Sequence, residues 1–251
     1  MPRYRLLLEY DGSGFHGWQV QAAVRSVQGE IERALLFLAR EPIRTAAAGR
    51  TDRGVHARGQ VVSFESSAML DCRRLIEGIQ GICGGEIRVR RCEEAPPGFH
   101  ARHDARWREY RYLICDRPSA IWRTLAWQGR HFHTLPALRS ATEPLQGAHD
   151  FTSFANASPD NSDPICSVLD ARWECWDEGF LFTIRADRFL YKMVRTIVGT
   201  LAREARPDGG GSARVKEILV ARSRRAAGSP APAAGLTLHA VGYDPPWPPV
   251  E

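Results

Sequence analysis

Long apolar runs are missing from this chain. The longest is Ala34 to Ala39, far short of the ~20 residues a membrane-spanning helix needs. Polar, strand-like residues begin at Arg3-Tyr4-Arg5, which leaves no room for the apolar core of a secretory leader. The expectation is a soluble, cytoplasmic protein. Lysine is nearly absent as well: only Lys192 and Lys216 occur, so all but two of the 34 basic residues are arginine. Six cysteines are present but form no C-x-x-C pair, which removes zinc-knuckle and zinc-ribbon readings. A disulfide framework is not expected in so long a chain without a secretion signal. Cys72, Cys83, Cys92, Cys115, Cys166 and Cys175 are therefore read as reduced, mostly buried thiols. The best metal alternative is His131-x-His133 with His149. No carboxylate or cysteine completes a ligand spacing there, and structural histidines are favoured.

What is present is ordinary for a globular protein. The 251 residues are 43% hydrophobic and 25% charged, which excludes disorder and low-complexity architectures. The net charge is +5. Arginine suits nucleic acid, because its planar fork pairs with phosphate and stacks on bases; a genome rich in G and C would raise the arginine count equally.

The pattern along the chain is α+β. Tyr4 to Glu9 reads as a strand entering the turn Asp11-Gly12-Ser13-Gly14. A helix follows from the N-cap Ser26 to Ala39, with Val27, Ile31, Ala34, Leu35 and Leu38 at helical spacing. Ile43 to Ala48 reads as a strand, then come a polar loop from Gly49 to His56 and a strand at Gln60 to Phe64. A helix over Asp71 to Ile82 and a strand at Ile87 to Arg90 complete a β-α-β-β-α-β order, which is that of a ferredoxin-like half. The second half is looser. Strands are expected at Trp107 to Cys115, Leu125 to His133, Val168 to Trp176, Phe180 to Ala186 and Leu236 to Tyr243. Helices are expected after Leu135, over Phe189 to Arg203, and from Ser212. Two packed units, 1–105 and 106–251, follow from this order.

The loop Gly49-Arg50-Thr51-Asp52-Arg53-Gly54-Val55-His56-Ala57 is the densest candidate for chemistry. Glycines bracket a single carboxylate set between two arginines that could hold phosphates. Functional residues concentrate on loops of this kind; the plainer reading is a polar turn with a surface ion pair.

GRTDRGVHA resembles the GRTDxGVHA motif of the tRNA pseudouridine synthase A (TruA) family. YDGSGFHGWQ, from Tyr10 to Gln19, is similar to that family's YDGTxFxGWQ. Phe99-His100-Ala101-Arg102, Tyr110-Arg111-Tyr112, Asp150-Phe151-Thr152-Ser153-Phe154, Met193-Val194-Arg195 with Ile197-Val198-Gly199, and Gly235-Leu236 match further landmarks in the family's order. The chain departs from the pattern at Gly78–Gly85, His103–Ala105 and Asp163–Cys166. The resemblance implies a pseudouridine synthase fold of two ferredoxin/RRM-like halves, joined into one mixed antiparallel sheet with a central basic cleft. It implies isomerisation of uridine to pseudouridine in the tRNA anticodon arm, at tRNA positions 38 to 40, by a homodimer without cofactor or metal. Asp52 would be the catalytic carboxylate, either attacking C1′ or taking the C2′ proton on a glycal route. Tyr110 would stack on the flipped uracil, and Arg195 would pair with the catalytic carboxylate. Arg50 would touch the RNA backbone or fill the vacated space, and Leu236 would wall the uracil pocket.

Three other readings compete. One is a non-catalytic RNA-binding protein of the same fold, which has no need of a carboxylate among cations. Another is a pseudouridine synthase acting on a different RNA. The third is a metal-dependent hydrolase built on Asp52, His56 and the His131/His133 pair, which chelators would silence.

Overall fold

The computed structural model describes residues 1–129, 134–158 and 163–247. Their contacts divide the chain into two units, one of Met1–Arg106 with Thr237–Glu251, the other Trp107–Leu236. The sequence placed its boundary between residues 105 and 106, and the C-terminal strand is counted with the first unit.

In the first unit, strand β1 (Arg3–Tyr10) lies between β3 (His56–Glu65) and β4 (Ile87–Glu94), antiparallel to both. The two-residue strand β2 (Ala46–Ala47) pairs antiparallel with the far end of β3, at Val62 and Ser63. Strand β10 (Leu236–Gly242) runs parallel to the start of β3, with Thr237 opposite His56. Two helices pack against one another, α1 (Val27–Ala39) and α2 (Cys72–Cys83), and α2 also packs on β4. Their inward residues, Ile31, Leu35 and Ile79, are wholly buried, as are Leu6, Leu8 and Val62 of the strands. Burial of such side chains drives collapse at roughly 1.5–3 kcal/mol each.

Both helices start on side-chain caps. Ser26 accepts from Gly29 N–H, and Asp71 accepts from the N–H groups of Arg73 and Arg74. Each cap satisfies donors that the first helical turn leaves without partners.

The second unit contains an antiparallel run of β7 (Gly147–Asp150), β8 (Ile165–Trp176), β9 (Gly179–Ala186) and β5 (Trp107–Cys115). The short β6 (Trp127–Gln128) lies parallel to the end of β5. Helices α3 (Leu135–Thr142), α4 (Met193–Glu204) and α5 (Gly211–Ala221) pack together, with α3 resting on β8. That seam is polar as well as apolar. Trp173 of β8 is fully buried with its ring tilted against that of Phe182, while its indole N–H donates to Thr142 Oγ1 at 2.9 Å.

Several elements differ from the sequence reading, each for a visible reason. The expected strand Ile43 to Ala48 shrinks to Ala46–Ala47, because the Thr45 N–H is bonded at 2.9 Å to the Glu32 carboxylate on α1. The expected helix Phe189 to Arg203 begins only at Met193. Lys192 sits at φ +60°, which a continuous right-handed helix does not permit. The Tyr191 carbonyl accepts from Asn156 N–H at 3.0 Å instead of from the next helical turn. Lys192 therefore precedes the helix that carries Arg195. Of the expected strand Leu125 to His133 only Trp127–Gln128 forms among the described residues; His131 and His133 lie outside them. Strand β7 had no counterpart in the sequence reading. The thiols divide more evenly than expected: Cys83, Cys115 and Cys166 are buried, Cys72 and Cys92 half-buried, and Cys175 exposed.

Among the described residues no helix is long and apolar enough to cross a membrane. Removing the α1 cap with Ser26→Ala should cost about 1 kcal/mol; urea denaturation should show a lower midpoint with an unchanged slope.

Candidate active site

The Gly49–Val55 loop joins β2 to β3 in the first unit, and its shape is fixed from below by two side chains. Gln60, wholly buried on β3, donates to the Gly49 carbonyl at 2.7 Å and accepts from the Gly49 N–H at 3.4 Å. Tyr10, at the end of β1, shares a 2.8 Å hydrogen bond with Thr51 Oγ1. Burial pushes the Tyr10 hydroxyl up to about 12, although its bonds to Thr51 and Gln60 pull the other way. The phenol therefore stays protonated and remains able to donate.

From the side, the loop meets the turn that follows β1. Trp18 N–H donates to the Thr51 carbonyl at 2.9 Å, and Gly54 N–H donates to the Phe15 carbonyl at 3.3 Å. His56 accepts from Gly12 N–H through Nδ1 at 3.1 Å. The two backbones approach so closely that only glycine fits. A Cβ on Gly12 would lie 2.0 Å from the Val55 carbonyl oxygen, and one on Gly17 would lie 2.7 Å from that of Thr51. Gly17 also has φ +93°, a conformation that other residues rarely adopt. The YDGSGFHGW segment is thus the mould in which the Asp52 loop is set. On the outer side of this loop Asp52 is half-buried, while Arg50 and Arg53 are exposed.

The remaining predicted site residues belong to the second unit. Tyr110 on β5 is buried, with its ring edge-on to Phe189 at 5.1 Å. Arg195, in the first turn of α4, is half-buried, and its Nε donates to the Ala231 carbonyl at 2.8 Å. Ala231 N–H returns a 2.9 Å bond to the Arg195 carbonyl. Leu236 is buried at the end of the segment that contains Ala231. Tyr112, the second tyrosine of the YRY landmark, anchors that segment through a 2.8 Å bond from its hydroxyl to the Pro232 carbonyl. Burial pushes the Tyr112 hydroxyl well up, with the Arg195 charge acting in the opposite direction. Arg50 and Asp52 thus share one loop, and within the second unit Arg195 is tied to the segment leading to Leu236.

Tyr10 and Gln60 escaped the sequence reading as site residues, and His56 entered it only through the metal-hydrolase alternative. Tyr10 opens the YDGSGF landmark, His56 lies inside GRTDRGVHA, and a glutamine opening the largely apolar QVVSF strand was a signal for Gln60. His56 is buried, which does not suit the metal-hydrolase reading. Its Nε2 has no hydrogen-bond partner among the described residues.

Known proteins align with this chain over nearly its whole length. A tRNA pseudouridine synthase A from Pelodictyon phaeoclathratiforme is 40% identical over 248 residues, covering 97% of this chain and 100% of that protein. The corresponding protein of Chlorobaculum tepidum is 39% identical, covering 95% and 97% of the two chains. That of Moorella thermoacetica is 40% identical, covering 97% and 100%. The tRNA pseudouridine synthase family profile matches residues 141–244. The chain belongs to the tRNA pseudouridine synthase A family. It is therefore an enzyme of an isomerase family.

Several family landmarks turn out to be joints of the scaffold. Ser153 of DFTSF donates to the Ile218 carbonyl at 2.6 Å and accepts from Ser223 N–H at 2.8 Å, fastening both ends of the α5 C-terminal turn. In FHAR, Ala101 N–H donates to Ser63 Oγ at 3.0 Å, and its carbonyl accepts from the Tyr243 hydroxyl at 2.7 Å. Gly199 of the α4 landmark lets the helix lie against the Ser229 carbonyl, where a Cβ would sit at 1.9 Å.

The mould can be tested directly. Gly12→Ala must displace the Val55 backbone and should lower synthase turnover about 100-fold, the loss expected of a ~1 Å misplacement. Gly14→Ala is the control: its Cβ would meet side-chain ends alone, the Glu86 carboxylate at 2.5 Å and the Arg25 guanidinium at 3.6 Å, which can swing away. Steady-state kinetics on both variants should separate them.

Proposed function

We propose that this chain converts uridine to pseudouridine in the anticodon arm of tRNA, at positions 38 to 40, with Asp52 as its catalytic carboxylate. The observation that carries the reading is family membership across nearly the whole chain, combined with an aspartate loop that is held by backbone contacts and carries the exposed Arg50 and Arg53. In the reaction the C1′–N1 bond breaks, N1 gains a proton, the uracil turns, and a C1′–C5 bond forms as C5 loses its proton. No electrons leave the substrate, so a carboxylate suffices and neither a cofactor nor a metal is required.

The other residues take their roles from the same family pattern. Arg195 pairs with the Asp52 carboxylate. The Tyr110 ring stacks on the uracil once the nucleotide has left its helix, replacing the neighbours it lost. Leu236 forms an apolar wall of the base pocket, and Arg50 meets the RNA backbone. The functional halves are residues 1–105, carrying the Asp52 loop, and 106–251, completing a basic cleft. The strand order β4-β1-β3-β2 in the first unit supports a ferredoxin/RRM-like first half. The protein works as a cytoplasmic homodimer on tRNA.

The test is tritium release from unmodified tRNA labelled at uridine C5, with and without EDTA. Wild-type protein should release tritium equally in both, and Asp52→Ala should release none. Retained activity in Asp52→Ala would remove the aspartate from its role. No release by wild-type protein that still binds the tRNA would overturn the substrate assignment and favour a different RNA.

Tyr110→Ala should lower kcat/KM by roughly 10–100-fold, corresponding to a stacking contribution of about 1–3 kcal/mol. Tyr110→Phe keeps the ring and should restore most of that loss if the two variants melt alike.

A further inference from the structure

The function described so far uses none of the six cysteines, yet two of them meet. Cys72 opens α2 and Cys92 lies on β4, twenty residues later, and their sulfurs are 2.7 Å apart with the Cys92 thiol donating. A disulfide places its sulfurs about 2.05 Å apart, so little movement separates this pair from a covalent bond.

Both side chains are aimed by their elements. Along α2 the buried residues are Leu75, Ile79 and Cys83, and Cys72 falls three residues before Leu75 on the same helical face. Along β4 the register against β1 shifts between Leu7 and Leu8, leaving Arg90 outside the pairing. Such a bulge inserts an extra residue and reverses the in-out phase of the strand beyond it. Val89 therefore faces inward, Arg90 and Arg91 are both exposed, and Cys92 turns back toward α2. Without the bulge Arg91 would occupy the inward position. Both cysteines are half-buried, which leaves the pair open to a small reagent.

We propose that Cys72 and Cys92 form a reversible oxidation site that closes to an intramolecular disulfide when the protein meets a low-molecular-weight disulfide. The Cys72 sulfur, as thiolate, attacks one sulfur of the reagent, forming a mixed disulfide and expelling one thiolate. Cys92 gives its proton to water and attacks the Cys72 sulfur, expelling the second thiolate. The protein loses two thiol hydrogens, and the reagent's disulfide is reduced to two thiols. Burial, the neighbouring Cys72 thiol and the charges of Glu93 and Asp71 hold the Cys92 thiol well above the ordinary cysteine range. Cys92 is accordingly the resolving thiol, and the pair rests reduced until a reagent engages Cys72.

The site is remote from the Asp52 loop within the first unit. Cys92 pairs with Leu6 of β1, which pairs in turn with Val62, well along β3 from His56. Closing the bond ties α2 to the edge of the sheet, so the oxidised protein should melt at a higher temperature.

The experiment uses the full chain carrying Cys175→Ser, which removes the exposed thiol that could join two molecules. Folded protein is incubated with oxidised glutathione, alkylated, and digested with trypsin. The expected product is a cross-link between fragments 59–73 and 92–102, absent in Cys72→Ser and Cys92→Ser and lost on adding dithiothreitol. The melting temperature should rise on oxidation only where both cysteines are present, with tritium release in the reduced state unchanged by Cys72→Ser. The proposal is overturned if both cysteines stay alkylated. It is equally overturned if Cys72 stops at a glutathione adduct, or if the cross-link joins any other pair.

Discussion

Backbone against backbone, with no side chain between, is the contact on which the first unit's chemistry depends. The turn after β1 and the loop before β3 are brought together because their strands are neighbours, with Tyr10 opposite Ala57. At Gly12 and Gly17 the approach is too close for any Cβ. Hydrogen bonds from Trp18 and Gly54 then fix the spacing. Ordering a loop costs about 1–2 kcal/mol per residue in backbone entropy. Here that cost is met while the scaffold folds, so the loop that carries Asp52 is ordered by the fold itself. A buried glutamine and a protonated tyrosine beneath the loop leave its underside with defined partners, which rigidifies it further.

The family landmarks sort into two physical kinds. One kind joins elements: Ser153 to the end of α5, Ala101 to Ser63 and Tyr243, Tyr112 to Pro232, and Gly199 to the Ser229 backbone. These residues are buried or face backbone, and their side chains are occupied by the fold. The other kind is the polar outer side of the Asp52 loop, where the exposed Arg50 and Arg53 flank a half-buried carboxylate. Arg195 is a joint of the second unit. Its Nε is committed to Ala231, which orients the guanidinium, and its charge reaches far enough to act on Tyr112.

Legibility in the sequence followed the locality of the cause. Helix α1 was readable with its cap, because its apolar spacing and Ser26 lie within a few residues of one another, and α2 was readable in its extent. The β8–β9 hairpin was readable from alternation and its short polar turn. Where a distant partner decided the conformation, local pattern misled. Glu32 takes the Thr45 N–H from a would-be strand, and Asn156 takes the Tyr191 carbonyl from a would-be helix. The four residues of β7 are ordered by pairing with β8, which no periodicity so short can announce. The site divided in the same way. Asp52 stood out through its glycines and flanking charges, whereas Gln60 looked like one more strand residue. Its role arises only from the loop folding over it.

The arginine count, suggestive in the sequence, carries less weight once its partners are known. Arg3 pairs with Glu65, Arg5 with Glu93, Arg90 with Glu9, and Arg25 with Glu86. Arg5 also covers Trp247 at 4.3 Å from the ring centroid, a packing role that lysine would fill poorly. These arginines tie β1 to β3 and β4, hold the edges of the first unit, and spend their charge on carboxylates of the same chain. Each exposed pair contributes only ~0–1 kcal/mol, so many of them serve solubility and register more than stability. A net charge of +5 is what is left over for a polyanion. What favours nucleic acid is therefore the placement of the cations and not their number. Arg50 and Arg53 are exposed on the same short loop as Asp52, and Arg58 is exposed two residues into β3. A phosphate held there would lie beside the one carboxylate of that loop.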